Sequence, residues 1–249
     1  NAFTGAVTIT TNDDSGIDAD VTIDGGTTAL ILAASTIDGD LTVRSGNVSG
    51  ITDSGTVTVG GNLAATTDAN SGVINLGTLA VDGTVVLATN GSGNATVVND
   101  AGLNFAASTV GGNLAATATT GNMTDSGALT IAGTTTLTTS ANNATIALDT
   151  TTNAFTGAVT ITTNDNSGTN ADVTIDGGTT ALILAASTID GDLTVRNGNS
   201  ITDSGLVTVG GNLVATTDAN AGVINLGTLA VDGTVQLTTN GSGDATVVN

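Results

Sequence analysis

Thr52-Asp53-Ser54-Gly55-Thr56-Val57-Thr58-Val59 recurs, offset by 72, as Thr124-Asp125-Ser126-Gly127-Ala128-Leu129-Thr130-Ile131. Both copies end in an alternation of aliphatic residues with Thr, the period-two signature of a half-buried β-strand. Strands of this kind are separated by turn signals rich in Gly, Asn and Asp, which tolerate the left-handed conformations that sharp corners demand. Working outward, Ala33-Ala34-Ser35-Thr36-Ile37-Asp38-Gly39-Asp40-Leu41 matches Ala106-Ala107-Ser108-Thr109-Val110-Gly111-Gly112-Asn113-Leu114, offset by 73. A larger and cleaner copy overlies these. Asn1-Ala2-Phe3-Thr4-Gly5-Ala6-Val7 returns as Asn153-Ala154-Phe155-Thr156-Gly157-Ala158-Val159, and the match runs on until Asn99 pairs with Asn249. Ten substitutions separate the 97 aligned positions, with Val48-Ser49-Gly50 contracted to Ser200. The chain is therefore a tandem duplication, residues 1–152 and 153–249, with a degenerate sub-unit of about 76 residues.

Between repeats of the turn signal lie short strands such as Ala6-Val7-Thr8-Ile9-Thr10, Val21-Thr22-Ile23 and Asp40-Leu41-Thr42-Val43. The breaks fall at Asp24-Gly25-Gly26, Asp38-Gly39, Gly60-Gly61-Asn62, Asp82-Gly83 and Asn90-Gly91. No 3.6-residue apolar period appears, so an all-β chain is expected. Near-identical duplication favours a stacked coil, because each rung offers the next the same surface and copies add without limit. The reading is one continuous β-solenoid over residues 1–249. Three strands per coil give rungs of about 25 residues, four per 76-residue unit give about 19, and at ~4.8 Å per rung about 10 rungs make a rod of roughly 48 Å. The absence of Pro fits strands that pair on both edges.

Composition narrows function. Among 249 residues there is no His, Cys, Pro, Trp or Tyr, and the charge is −20 with only Arg44 and Arg196 as cations. Without His and Cys, ordinary zinc sites, thiol nucleophiles and Ser-His-Asp triads are excluded. So strong an acidic excess cannot neutralise a phosphate backbone, and neither nucleic acid nor an anionic membrane surface is an expected partner. The longest apolar run, Ala29 to Ala34, is too short to span a bilayer. Three Phe are the only aromatics, so the core is expected to be narrow and aliphatic, with Phe105 standing where the related unit has Leu32.

Asn12, Asp13, Asp14, Asp18 and Asp20 form the densest polar cluster, and their oxygens would suit Ca²⁺. The spacing is not that of an EF-hand or a calcium β-roll. In the copy, Asp14 becomes Asn166 and Asp18 becomes Asn170, while Asp13 and Asp20 persist as Asp165 and Asp172. A solvated turn is the simpler reading, with Ca²⁺ at most loosely held by the overall charge; neither a dedicated metal site nor a cofactor is expected. Arg44 and Arg196 are equivalent and each stands alone, which suits a pair with an Asp on a neighbouring rung better than a catalytic base. The outward Thr8/Thr10 and Thr160/Thr162 pairs are not repeated on every rung, as an ice-matching face would require.

The phrases at 1–9, 33–43, 51–59 and 124–137 resemble the degenerate repeats of filamentous-haemagglutinin-like bacterial surface and secreted adhesins. That resemblance implies a right-handed parallel β-helix, an extracellular or cell-surface location, export of the two-partner-secretion type, and a role as a stalk or fibre without catalysis. The expected partners are other copies of the chain, end to end or laterally, and surface glycans or cell surfaces. The phase of the copies leads us to expect an array continuing past Asn249 with a segment like Asp100-Ala101-Gly102-Leu103-Asn104-Phe105. A self-assembling sheath filament is the alternative within the structural class. A carbohydrate-binding or lytic β-helix is the alternative outside it.

Overall fold

A computed structural model describes residues 1–12, 19–164 and 170–249. Among them are thirty strands and no helix. Every strand pair is parallel, and the chain winds through about 11 turns of a β-solenoid, the right-handed parallel β-helix expected from the sequence with one turn more. Period-two patterning sets the faces. In Leu41–Ser45 the residues Leu41, Val43 and Ser45 are buried while Thr42 and Arg44 are exposed, as alternate side chains must point to opposite sides of a pleated strand.

The strands form two sheets rather than three. Sheet A begins at Leu30–Leu32 and sheet B at Val21–Asp24, and an unbroken path of eleven strands runs through each. Like stacks on like along the axis. Val21, Leu41, Leu63 and Val85 lie in register in sheet B, and Leu30, Ile51, Ile74 and Ala95 in sheet A. These columns meet in one continuous aliphatic core. Full burial of each Leu, Ile or Val contributes about 1.5–3 kcal/mol before entropy is counted. Phe105 and Phe155 are completely buried in it, whereas Phe3 is only partly covered.

Registers fix the rung. Val21 pairs with Leu41, Leu41 with Leu63, and Leu63 with Val85, steps of 20, 22 and 22 residues. The longest step, Ile146 to Val173, is 27 and contains the stretch outside the described residues. Both the longer, three-strand rung and the shorter rung expected from the sequence are therefore wrong. Seven turns separate Val21 from Val173, so the 152-residue repeat averages about 22 residues per turn. Half of that repeat is three and a half turns, not the three or four whole rungs that a simple stack suggests.

The half turn has a visible consequence. In the first unit sheet A carries split strands, Leu30–Leu32 with Ser35–Ile37 and Ile51–Asp53 with Val57–Val59, while sheet B carries single ones such as Leu41–Ser45 and Leu63–Asn70. In the second unit the roles exchange. Leu103–Phe105 with Ser108–Val110 and Met123–Asp125 with Leu129–Ile131 now lie in sheet B, and Leu114–Ala118 and Thr135–Asn142 in sheet A. From Leu182–Leu184 and Ser187–Ile189 the split strands return to sheet A. Equivalent motifs of neighbouring units thus sit on opposite sheets: Leu41 is in sheet B and its counterpart Leu114 in sheet A. Thr84–Asn90 makes the first exchange, pairing with Leu103–Phe105 through Val85 and with Ser108–Val110 through Ala88.

Candidate functional site

The polar residues that recur in the sequence converge on the rung-to-rung joints. At one corner of successive rungs within each unit, an Asx side chain accepts the backbone N–H of the rung above. The Asp20 carboxylate accepts the Asp40 N–H at 2.8 Å, and Asp40 accepts the Asn62 N–H at 2.7 Å. Asn62 then accepts both the N–H and the hydroxyl of Thr84, each at 2.8 Å. The ladder is rebuilt through Asn94, Asn113 and Thr134 in the second unit and Asp172, Asp192, Asn212 and Thr234 in the third. A corner is where the backbone leaves the regular ladder, and these side chains supply the acceptors that it would otherwise lack.

Asp53 of the Thr-Asp-Ser-Gly motif does the same at the bend of the split strand. Its carboxylate accepts the Gly77 N–H, the Thr78 N–H and the Thr78 hydroxyl at 3.0, 2.6 and 2.8 Å. Asp203 makes the same three bonds to Gly227 and Thr228. Partial burial pushes the Asp203 carboxyl up, but the Thr228 hydroxyl and the two N–H groups outweigh it and hold the group below the ordinary carboxylate range. Asp125 is the equivalent in sheet B and accepts the Asn153 side-chain amide at 2.7 Å.

Inside the coil, buried polar groups are joined to backbone. The Asn99 side chain is 1% exposed; its oxygen accepts the Val81 N–H at 2.8 Å and its amide donates to the carbonyls of Val81 and Gly102 at 3.0 and 2.6 Å. Asn153 accepts the Leu129 N–H in the same manner. Ser35, Ser108 and Ser187 each accept the N–H of the rung below, from Ile9, Leu87 and Ile161. Thr67, Thr89, Thr139 and Thr217 donate across the opposite corner to Gly72, Gly93, Ala144 and Gly222. Among the described residues, three buried oxygens, on Asn104, Thr135 and Asn197, have no partner.

Of the calcium candidates, Asp13, Asp14 and Asp18 lie outside the described residues; Asp20 is a member of the Asx ladder. Among the described residues no three acidic side chains are grouped as a metal site would need. Arg44 forms a two-pronged pair with Asp68 of the next rung, Nε to Oδ2 at 2.5 Å and the second nitrogen to Oδ1 at 2.9 Å. Arg196 meets Asp218 at 2.7 Å. The Asp partner raises each guanidinium above its already high value, so neither is a base at any ordinary pH.

Two shallow clefts mark the first exchange of sheet roles. One, of about 310 Å³, is lined by Val81, Asp82, Gly83, Gly102, Asn104 and Asn122 among others. The second, of about 270 Å³, lies by Gly77, Thr78, Val98, Asp100 and Thr119. Here the five-residue strand Ala95–Asn99 stacks on the eight-residue strand Ile74–Val81: Val97 pairs with Leu76 but Asn99 with Leu79, so one extra residue of the lower strand is left over. Each cleft carries one carboxylate, Asp82 or Asp100.

Asn62, Asn113, Asn212, Asp53 and Asp203 carry a signal in the sequence, the recurrence of Gly-Gly-Asn-Leu and Thr-Asp-Ser-Gly, but locally it says only that the chain bends there; Asn99 lies in neither motif. Comparison with known proteins gives one match at the level of family: the repeats of unknown function designated DUF5649 match residues 18–88, 92–162 and 170–226. No curated protein and no solved structure matches. The three matched stretches cover most of the chain, and each starts near the strand that opens a unit of seven half turns. The chain belongs to the DUF5649 repeat family.

Proposed function

We propose that the chain is a structural spacer, a segment of an extracellular fibre or adhesin stalk of the filamentous-haemagglutinin-like kind, without catalytic activity. One observation carries this reading: the recurrent polar residues are used to join rung to rung. Asp20, Asp40, Asn62 and Thr84 form a chain of bonds along the axis, in parallel with the backbone ladders of both sheets. Such a rod resists bending because deformation must open many parallel hydrogen bonds together. Lack of catalysis is supported by a chain without His, Cys, Lys or Glu and by clefts with one acid each.

A rod built this way lengthens with sequence. Inserting a further copy of residues 21–172 adds seven rungs, about 34 Å at ~4.8 Å each, with no change in width. Small-angle scattering of the two chains tests it. An unchanged length, or growth in cross-section instead, refutes the spacer reading. Protease accessibility of the protein on intact cells of its source tests the surface location, and protection until the cells are broken refutes it.

A further inference from the structure

Charge is divided unequally between the two sheets. Among the described strands, sheet B carries Asp24, Arg44, Asp68, Asp125, Asp176, Arg196 and Asp218. Sheet A carries only Asp53 and Asp203, both turned to N–H groups of the next rung. The outward column of sheet A runs without charge from Ile31 through Thr52, Asn75, Thr96 and Ala115 to Thr136 in continuous register, and resumes as Ile183, Thr202 and Asn225.

A second, independent feature falls on the same side. Of the exposed large apolar residues, Ile31 (36%) lies within a sheet A strand, and Leu206 (53%) lies at the bend between two segments of one. Val48 (63%) and Val223 (37%) sit at the edge of that face, in the corners that lead from the sheet B strands Leu41–Ser45 and Leu213–Asn220 into Ile51–Asp53 and Ile224–Leu226. The other two, Val247 and Val248, are in and just after the last strand of that sheet. None lies in a strand of sheet B.

We propose that sheet A is a lateral docking face and that its occupant is a second copy of this chain, packed face to face about a two-fold axis. The inference rests on the structural reading above and names its partner. A copy brings its own charge of −20, so it can approach closely only where both partners are neutral. It also brings the same axial spacing, so small Thr and Ala side chains meet rung by rung at the usual inter-sheet distance of ~10 Å. Eleven rungs at ~4.8 Å and strands of four to five residues give on the order of 700 Å² per copy, about 1,400 Å² in the pair, within the range of stable interfaces. Because Thr136 is on the sixth of eleven sheet A strands, with one further layer bridged below them through Val7 and Thr10, it lies near mid-height, and a two-fold pair brings it close to its own copy whichever way the rods run.

The test uses the whole chain, which has no native Cys. Thr136→Cys on sheet A and Thr124→Cys at the same height on sheet B are treated separately with a short bis-maleimide, because sheets ~10 Å apart are too far for a direct disulfide. We expect a cross-linked dimer from Thr136→Cys and little from Thr124→Cys. Sedimentation equilibrium of the unmodified chain should give a dimer of two 23.7 kDa copies, favoured by salt because screening reduces the repulsion. Thr136→Asp should weaken association at least about tenfold, since it sets like charges against each other, while circular dichroism reports an intact fold. A monomer at all salt concentrations, equal cross-linking from both positions, or undiminished association of Thr136→Asp overturns the assignment. The insertion experiment above still decides the spacer reading, since a monomeric rod of the right length retains it.

Discussion

Replacing Asn99 by Leu removes one side chain that satisfies three backbone groups. The Val81 N–H has that side chain as its acceptor, and the carbonyls of Val81 and Gly102 receive its amide. Leu fits the volume, so the effect is electrostatic rather than a cavity. An orphaned buried N–H costs about 1–3 kcal/mol, and two carbonyls that lose a donor add to it, so we expect about 3 kcal/mol. In a solenoid the penalty is felt locally, because each rung touches only its neighbours. Hydrogen exchange resolved to single amides is the appropriate assay. Val81 should exchange about a hundredfold faster in the variant, at roughly 1.4 kcal/mol per tenfold, with smaller changes for Val59 on the rung below. Val195, several rungs away, should not change. Thr58→Val on the outer face of the same region is the control and should stay within about 0.5 kcal/mol. If Val81 retains its protection within about threefold, the Asn99 bonds are not what secures that corner, and the reasoning about buried Asx residues fails with them.

Gly50 has φ +65° and a Cβ there would run into the backbone of Val73. Gly50→Ala should therefore lower the unfolding midpoint through backbone strain of about 1 kcal/mol or more, whereas Gly5→Ala, with open space around it, should be neutral or slightly stabilising by thermal melt. Phe105→Ala should cost about 3–5 kcal/mol from the cavity it leaves in the core, and Phe105→Leu much less, since Leu32 fills the related position; chemical denaturation distinguishes the two. Asp203 is held below its ordinary value of 3.8 by Thr228 and Gly227 despite its partial burial. Its contribution is therefore present above that value and lost as pH falls through the lower, folded one. The stability difference between the parent chain and Asp203→Asn should hold steady above about pH 5 and narrow as the pH falls to 3.8 and below, and a difference independent of pH would contradict the assignment. Asp176 has the opposite sign: burial raises it against the Gly178 N–H, so it favours the fold at low pH and loses that contribution as pH rises through the raised value.

Much of this was legible in the chain, and the reasons differ by element. Val-Thr-Val at 57–59 alternates because one face is dry and one wet, and that alternation is local, so strands could be read directly. Duplication of 1–99 as 153–249 is a fact of the sequence and pointed to a stack. The roles of Asp53 and Asn62 could not be read. Asp-Ser-Gly and Gly-Gly-Asn are good turn formers on local grounds, and nothing local says that the Asp53 carboxylate reaches Thr78, 25 residues away, or that Asn62 accepts from Thr84, 22 residues on. Arg44 lay between: its need of an acid followed from its isolation among Asp residues, but the choice of Asp68 was made by the step from one rung to the next.

The sequence by itself determined an all-β repeating coil with an aliphatic interior, because period-two patterning, Gly-Asx corners and self-similarity are properties of the chain order. Only the tertiary structure decided the length of the rung, the two sheets, and the half turn that places each unit on the opposite face from the last. Those depend on which backbone N–H meets which carbonyl one rung away. A repeat of three and a half turns is as periodic in sequence as one of three or four, and the difference appears only when the strands are stacked.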